Sequence, residues 1–120
     1  MTSTASIIDV LAQARLSEFA DELRLQDAIE RVLKGAEHAY EREVVLAPGD
    51  RIDFLVGNIG IEVKVEGSPT EVVRQLIRYA DSPRVARLVL VTARARLAAR
   101  VPASINGKPI ATIATWRAGL

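Results

Sequence analysis

Three residues near the middle of the chain have the types and spacing needed for metal-dependent chemistry. Asp53 is followed after eight residues by Glu62, and Lys64 comes two residues later. Carboxylate oxygens are the ligands that Mg²⁺ and Mn²⁺ prefer, and Mg²⁺ keeps several waters when it binds. A lysine beside such a site can orient the attacking water or stabilise negative charge that develops during a reaction. These residues therefore predict a divalent-cation site built on Asp53 and Glu62.

A predicted β-hairpin brings these residues together. Apolar and polar residues alternate on both sides of Gly57-Asn58, which is the period of strands with one buried face. Gly57-Asn58 is a favoured two-residue turn, because both residue types tolerate positive φ. With this turn Asp53 lies opposite Glu62, and two like charges so placed need a compensating cation. Lys64 then points from the same face of the strand as Glu62.

This arrangement resembles the PD-(D/E)xK nuclease superfamily, in which an aspartate on one strand and an (Asp/Glu)-x-Lys on the next bind Mg²⁺ and position water. Here the motif reads Asp53, then Glu62-Val63-Lys64, and Ile52 stands at the proline position, which the superfamily varies freely. The resemblance implies a Mg²⁺-dependent nuclease that hydrolyses DNA phosphodiester bonds. It implies that Asp53, Glu62 and the Val63 carbonyl hold one or two Mg²⁺ (or Mn²⁺) ions, and that Asp53, Glu62 and Lys64 are catalytic.

The resemblance also implies a further acidic residue on the first core helix, where such a residue often completes the metal site. Glu30 is the candidate here, both as a metal ligand and as a catalytic residue. A solvated helical glutamate is the alternative interpretation of Glu30. The competing candidates are Glu18, Asp27 and Glu37 on the helical segment and Glu43 on the next strand.

A second motif lies on the helix predicted after the hairpin. Gln75 and Tyr79 are four residues apart and hence on one helical face, and they resemble the Q-x-x-x-Y motif of RecB-like nucleases. That resemblance implies a catalytic role for Gln75 and an approach of Tyr79 to the metal site or the DNA. The alternative is that both residues border the core. The residues expected to bind nucleic acid are Arg74, Arg78, Tyr79, Arg94 and Arg96.

The order of predicted elements indicates an α/β protein. One broken helix or two is predicted between residues 6 and 34, and Ser68-Pro69 has the composition of a helix start. A parallel crossover onto the hairpin sheet is expected after that helix. The predicted strands are 40–46, 51–56, 59–65, 85–91 and, at an edge, 110–116; the later helices are 68–81 and 94–101. The resemblance implies a restriction-endonuclease-like αβββαβ core, a mixed sheet flanked by helices, with an extra N-terminal helix. Residues 1–25 are predicted as a helical extension and residues 26–120 as the nuclease-like domain.

The composition narrows the function further. The 120 residues contain no cysteine, which excludes disulfides and thiolate metal sites, and the lone His38 supports neither a zinc site nor a catalytic triad. Residues 1–47 carry 5 basic and 9 acidic side chains, whereas residues 48–120 carry 11 basic and 6 acidic ones. Of the 16 basic residues 13 are arginines, which suit bidentate phosphate contacts. The second half is therefore predicted to face a polyanion, with solvated helix faces as the alternative.

The predicted partner is DNA, with no membrane contact and a cytoplasmic location, because no apolar run is long enough to span a bilayer. A chain of this length leaves no room for a recognition domain, so cutting is expected to be structure-selective or partner-directed. Cutting two strands would need a homodimer, or the chain would act in a larger recombination, repair or phage complex. The alternatives are a non-catalytic nucleic-acid-binding or assembly module that retains the nuclease fold, and a structural partner in a phage or plasmid complex.

Overall fold

A computed structural model of the chain describes residues 4–16 and 21–115. Within these ranges it contains four helices and six strands in the order ααβββαβαββ. The helices are α1 (Thr4–Gln13), α2 (Glu22–Gly35), α3 (Pro69–Ala80) and α4 (Ala95–Arg100); the strands are β1 (Glu41–Ala47), β2 (Asp50–Val56), β3 (Ile59–Lys64), β4 (Arg87–Thr92), β5 (Ser104–Ile105) and β6 (Lys108–Ala114). Of the two alternatives predicted before β1, one broken helix or two, the structure has two helices, α1 and α2. None of the helices in the described ranges is long and apolar enough to cross a bilayer.

The strands form one mixed sheet in the order β1-β2-β3-β4-β6-β5. β1, β2 and β3 are antiparallel to one another, and β3, β4 and β6 run parallel. This confirms the predicted α/β class and the parallel crossover through α3. The prediction of a single edge strand at residues 110–116 is wrong in one respect, because β5 pairs with the start of β6 and lies outside it. Asn106-Gly107, with φ values of 52° and 78°, makes the tight turn between these two strands.

The helix starts follow from local side-chain chemistry. The Ser68 hydroxyl accepts a hydrogen bond from the Glu71 amide at 3.1 Å, and Pro69 is the first helical residue, as predicted for α3. The spacing of apolar residues predicts a buried side of α3 made of Val72, Val73, Leu76, Ile77 and Ala80. The structure differs at Val73, which is half-buried, and at Ile77. Ile77 is 43% exposed, whereas Tyr79 is fully buried. The buried stripe follows the spacing i, i+4, i+7, i+8, and Ile77 falls outside it.

The sheet is covered on both faces. One apolar cluster joins α1 and α2 to the sheet, and a second joins α3 and α4 to the opposite face. Ile7 and Leu11 of α1 are buried in the first cluster, so α1 packs into the same core as the strands. The predicted domain limit after residue 25 falls inside α2.

Because helices cover both faces, the hairpin is not half-buried as predicted. Leu55, expected on the exposed side, is 1% exposed. β2 also changes face along its length: Phe54 and Val56 belong to the α2-side cluster, whereas Ile52 belongs to the α3-side cluster. Residues two apart on a regular strand share a face. The alternation of side chains between the two faces of the sheet is therefore interrupted at Asp53.

In the neighbouring strand β1, the alternation of side chains between the two faces is interrupted at the position beside Asp53. In β1, Arg42 lies over the Phe54 ring at 5.6 Å on the α2 side, whereas Val44 belongs to the α3-side cluster. Between them Glu43 has a φ of 55°, a left-handed conformation that a non-glycine residue adopts at a cost. Two adjacent strands therefore reverse their faces together, and Asp53 lies at the reversal.

Candidate metal centre and basic cleft

The centre lies where β2 and β3 stop pairing through their backbones. The turn at Gly57-Asn58 is confirmed, and the predicted register is confirmed as far as the pair of Phe54 with Ile61. Asp53 and Glu62, predicted as the next pair across the strands, do not pair through their backbones. Beyond that pair, side chains make the connections. The Val63 amide donates to Asp53 Oδ2 at 2.8 Å, and the Asp53 amide donates to Glu62 Oε1 at 3.2 Å. Asp53 and Glu62, which we call the carboxylate pair, thus lie together in the gap between the two strands.

Burial and mutual repulsion change the acidity of the carboxylate pair. Glu62 is only 2% exposed, and the two carboxyl groups lie close enough to interact directly. Burial, followed by the nearby Asp53 charge, raises the pKa of Glu62 to about 8. Burial also raises the pKa of Asp53, although the Val63 amide opposes this shift. In the absence of a cation, the pair is therefore expected to retain a proton near neutral pH.

Tyr79 and Gln75 hold Glu62 from the α3 side. The Tyr79 hydroxyl lies 2.7 Å from the Arg51 carbonyl oxygen and 3.3 Å from Glu62 Oε2, and it accepts a hydrogen bond from Gln75 Nε2 at 2.7 Å. A tyrosine hydroxyl has one hydrogen, and the Arg51 carbonyl is the nearer acceptor. Glu62 consequently faces the hydroxyl oxygen, an arrangement that suits a protonated carboxyl group.

The structure therefore brings both Gln75 and Tyr79 close to the carboxylate pair, but only Tyr79 contacts it directly. Gln75 contacts the pair through the Tyr79 hydroxyl rather than directly. The Tyr79 ring is fully buried, so it has no exposed surface that a nucleic acid could contact. Burial also raises the pKa of its hydroxyl, which stays protonated. The two residues of the Q-x-x-x-Y motif act here as a support for Glu62.

Lys64 connects the carboxylate pair to an open cleft. Its Nζ lies 3.4 Å from Glu62 Oε2, and its side chain is 22% exposed. The cleft has a volume of about 440 Å³ and lies between the end of β3 and α3. Lys64, Arg74, Gln75 and Arg78 line it, together with Glu66, Gly67, Glu71 and Val72. Three cationic side chains therefore surround the approach to the pair.

The predicted phosphate-binding arginines fall into two neighbouring groups. Arg74 and Arg78 line the cleft beside Lys64, and Arg78 also forms an ion pair with Asp50 at 2.8 Å. Arg94 and Arg96 line an adjoining cavity of about 510 Å³, which shares Glu66 and Gly67 with the first. Arg94 donates to the Val65 carbonyl at 2.7 Å, which fixes its position at the rim. The four arginines thus line two neighbouring cavities that share Glu66 and Gly67.

The other side of the carboxylate pair faces α2, and there the residue in contact is Gln26 rather than Glu30. Gln26 Nε2 donates to Asp53 Oδ1 at 3.2 Å. Glu30, one turn later, accepts hydrogen bonds from the Tyr40 hydroxyl at 2.8 Å and from Arg42 at 3.2 Å. Glu30 is therefore joined to the pair only through Arg42 and Gln26.

Other acidic residues named from the sequence are also placed elsewhere. Asp27 forms an ion pair with Arg42 at 2.9 Å, and Glu43 is exposed, as is Glu37; Glu18 lies outside the described residues. The acid of α2 whose charge does reach Asp53 is Glu22, which was not singled out from the sequence. Its Oε1 accepts the Val65 amide at 3.4 Å. The spacing Glu22, Gln26, Glu30 on one helical face was the available signal.

The donor set fits a hard divalent cation that relies on few protein ligands. In the described part of the chain, no three acidic, histidine or cysteine side chains gather as a metal-binding group. Mg²⁺ is commonly held by one or two carboxylates, with waters and substrate phosphates completing its shell. Asp53 and Glu62 supply two such carboxylates, and a cation would compensate the repulsion between them.

No protein-family model, curated protein or solved structure matches this chain. Membership of the PD-(D/E)xK superfamily therefore stays a prediction made from the residues.

Proposed function

We propose that this protein is a Mg²⁺-dependent nuclease with a restriction-endonuclease-like fold, which hydrolyses DNA phosphodiester bonds. One observation carries the proposal: the partly buried Asp53 lies beside the buried Glu62, to whose carboxylate its amide donates at 3.2 Å, and Lys64 Nζ, 3.4 Å from Glu62, lines a cleft with Arg74 and Arg78. Burying two like charges together is destabilising. Such a pair is what a cation site at a phosphate-binding surface requires.

Each residue of the site would have a distinct part. Asp53 and Glu62 would hold the cation, with the Val63 carbonyl and water as further ligands. When bound, a divalent cation lowers the pKa of a coordinated water and neutralises charge on the phosphate oxygens. Lys64, already beside Glu62, would orient the attacking water or stabilise charge on the phosphate. When Glu62 is ionised, the Tyr79 hydroxyl, 3.3 Å from its Oε2, would donate to the carboxylate instead of to the Arg51 carbonyl.

The substrate would approach along the cleft on the α3 side. Arg74, Arg78, Arg94 and Arg96 line the two neighbouring cavities there, and arginines bind phosphate oxygens through charge-assisted hydrogen bonds. Contacts of this kind position a nucleic-acid backbone without reading its sequence. We therefore propose structure-selective or partner-directed cutting, with a second copy or a larger complex supplying the selectivity.

A non-catalytic binding module is the second candidate, and one observation favours it. The carboxyl oxygens of the pair already have partners inside the protein: the Val63 amide and Gln26 for Asp53, and the Asp53 amide, Tyr79 and Lys64 for Glu62. A protonated pair held in this way could simply tie β2 to β3 where their backbone pairing ends. The cationic cleft would then bind nucleic acid without cutting it.

Cleavage of supercoiled, single-stranded and branched DNA in Mg²⁺ or Mn²⁺ separates the two candidates. Asp53→Asn keeps the size of the side chain but removes a charged ligand, so we expect cleavage to fall by roughly 10³-fold or more. Glu41→Gln is the control, because Glu41 forms an exposed ion pair with Arg84 away from the site. Wild-type protein that binds DNA but cuts none of these substrates with either ion would favour the binding module.

A further inference from the structure

Gln26 is a buried residue of α2 that faces the carboxylate pair, and its side chain has two hydrogen-bond partners. Its Nε2 donates to Asp53 Oδ1 at 3.2 Å, and its Oε1 accepts from Arg42 Nη2 at 3.2 Å. The two ends of an amide group are hard to tell apart by shape alone. Here Arg42 decides the orientation, because a guanidinium can only donate hydrogen bonds. The amide oxygen must face Arg42, and the amide N–H must face Asp53.

Arg42 is itself fixed by its surroundings. Its Nη1 lies 2.9 Å from Asp27 and 3.2 Å from Glu30, and its guanidinium sits over the Phe54 ring. Glu30 in turn accepts the Tyr40 hydroxyl at 2.8 Å. These contacts leave Arg42 a narrow choice of position. The orientation of the Gln26 amide is therefore set by a chain of interactions that begins at Glu30.

This orientation has a chemical consequence for Asp53. An amide N–H carries partial positive charge and offers no lone pair, so it repels a cation where a carboxylate would attract one. Gln26 thus occupies the α2 side of Asp53 with a donor. On the other side of the pair, Glu62 lies 3.4 Å from Lys64, and Lys64 lines the cleft. The charge of Glu22 reaches Asp53 on that same α2 side, so the acids needed for a second cation are partly present.

We propose that Gln26 is a positioning residue that orients Asp53 and blocks its α2 side, so that the centre takes one divalent cation, from the cleft side only. The inference rests on the proposed function for its catalytic part. Its metal-binding part can be judged whether or not the protein cuts DNA. Residues in contact with metal ligands typically change metal affinity or activity by roughly 10- to 100-fold when they are replaced.

The test is a calorimetric Mn²⁺ titration of the full chain, run beside thermal unfolding and cleavage kinetics. Wild type should bind one Mn²⁺ per chain. Gln26→Met keeps the volume but removes the donor, so Mn²⁺ affinity or kcat should fall roughly 10-fold or more, with the KM for DNA unchanged. Gln26→Glu adds a carboxylate beside Asp53 and Glu22, so it should bind a second Mn²⁺ or bind the first at least about 10-fold more tightly.

Arg84→Met is the matched control, because it removes an arginine whose ion pair with Glu41 is exposed. It should titrate as wild type. Wild type that binds two Mn²⁺ or none, or a folded Gln26→Glu variant that titrates as wild type, would overturn the inference. If Gln26→Met does not fold, the Gln26→Glu titration decides. Wild type that binds one Mn²⁺ without cleaving DNA would overturn the proposed function alone.

Discussion

The cationic side chains on the two sides of the carboxylate pair differ in their partners. On the α2 side, Arg42 lies within 3.2 Å of both Asp27 and Glu30 and also binds Gln26. Its charge is matched inside the protein. On the α3 side, Lys64 lies 3.4 Å from Glu62 and is part exposed, in a cleft that two arginines also line.

This contrast indicates the direction from which a ligand would approach. A guanidinium held between two carboxylates attracts little from solution. The cleft has an excess of cationic side chains, with Lys64, Arg74 and Arg78 against Glu66 and Glu71, and such an excess concentrates anions at a surface. The α2 side is built to hold Asp53 still. Under the proposed function, a polyanion would approach Glu62 from the α3 side. We call the α2 side, where Gln26 contacts both Asp53 and Arg42, the closed half of the centre. The α3 side, where Lys64 contacts Glu62 and lines the cleft, is the open half.

Replacement of Lys64 should give the largest change on the open half. Lys64→Met keeps the length of the side chain and removes the charge beside Glu62, so we expect cleavage to fall by roughly 10²-fold. Mn²⁺ binding should persist, because a protonated lysine has no lone pair to offer a metal. Lys108→Met is the control, since Lys108 bonds the Ser82 carbonyl far from the pair in sequence. Loss of Mn²⁺ binding in Lys64→Met would show that Lys64 organises the site instead of assisting the reaction.

Glu62 should make the stability of the metal-free protein depend on pH. Because its pKa is raised from 4.5 to about 8 in the folded state, its contribution to stability is fully present below pH 4.5 and is lost as pH rises through 8. We expect the free energy of unfolding to fall by on the order of 3 kcal/mol between pH 5 and 9. Glu62→Gln should remove most of this dependence, whereas exposed Glu66→Gln should not.

Urea unfolding at several pH values, with and without Mn²⁺, measures this effect. A divalent cation requires the ionised carboxylates, so added Mn²⁺ should stabilise wild type more at pH 9 than at pH 5. A flat profile for metal-free wild type would mean that the pair accommodates its second charge without a cation, which would weaken the case for a metal centre.

Much of the hairpin could be predicted from the sequence because its signals are local. The Gly57-Asn58 turn sets the register, and the positive φ falls on Gly57 at 62°. The Ser68 cap likewise needs only residues within one turn of α3. Since the register follows from the turn, the proximity of Asp53 and Glu62 followed as well.

The rest depends on contacts that local patterns do not contain. A period of two assumes a regular strand, and nothing in Glu43 as a residue type indicates a φ of 55°, so the reversal of faces at Asp53 was missed. Gln26 was missed because a neutral amide is not a usual metal ligand. Tyr79 is buried in place of Ile77 because its hydroxyl finds partners inside the protein, which hydrophobicity alone does not indicate.

The smallest expected effect is a difference between arginines on the α2 and α3 sides in how their replacement changes the salt dependence of DNA binding. Arg74 is exposed in the cleft, and each phosphate contact contributes about one unit to the slope of log affinity against log salt. Arg74→Ala should therefore flatten that slope by about one unit. Arg24→Ala is the matched change on exposed α2, and it should leave the slope unchanged if nucleic acid approaches only from the α3 side. Fluorescence anisotropy with labelled DNA, without divalent ions so that nothing is cut, measures both slopes. Equal flattening in the two variants would show that the arginines act through net charge alone. The α3 side would then not be a preferred surface for DNA binding.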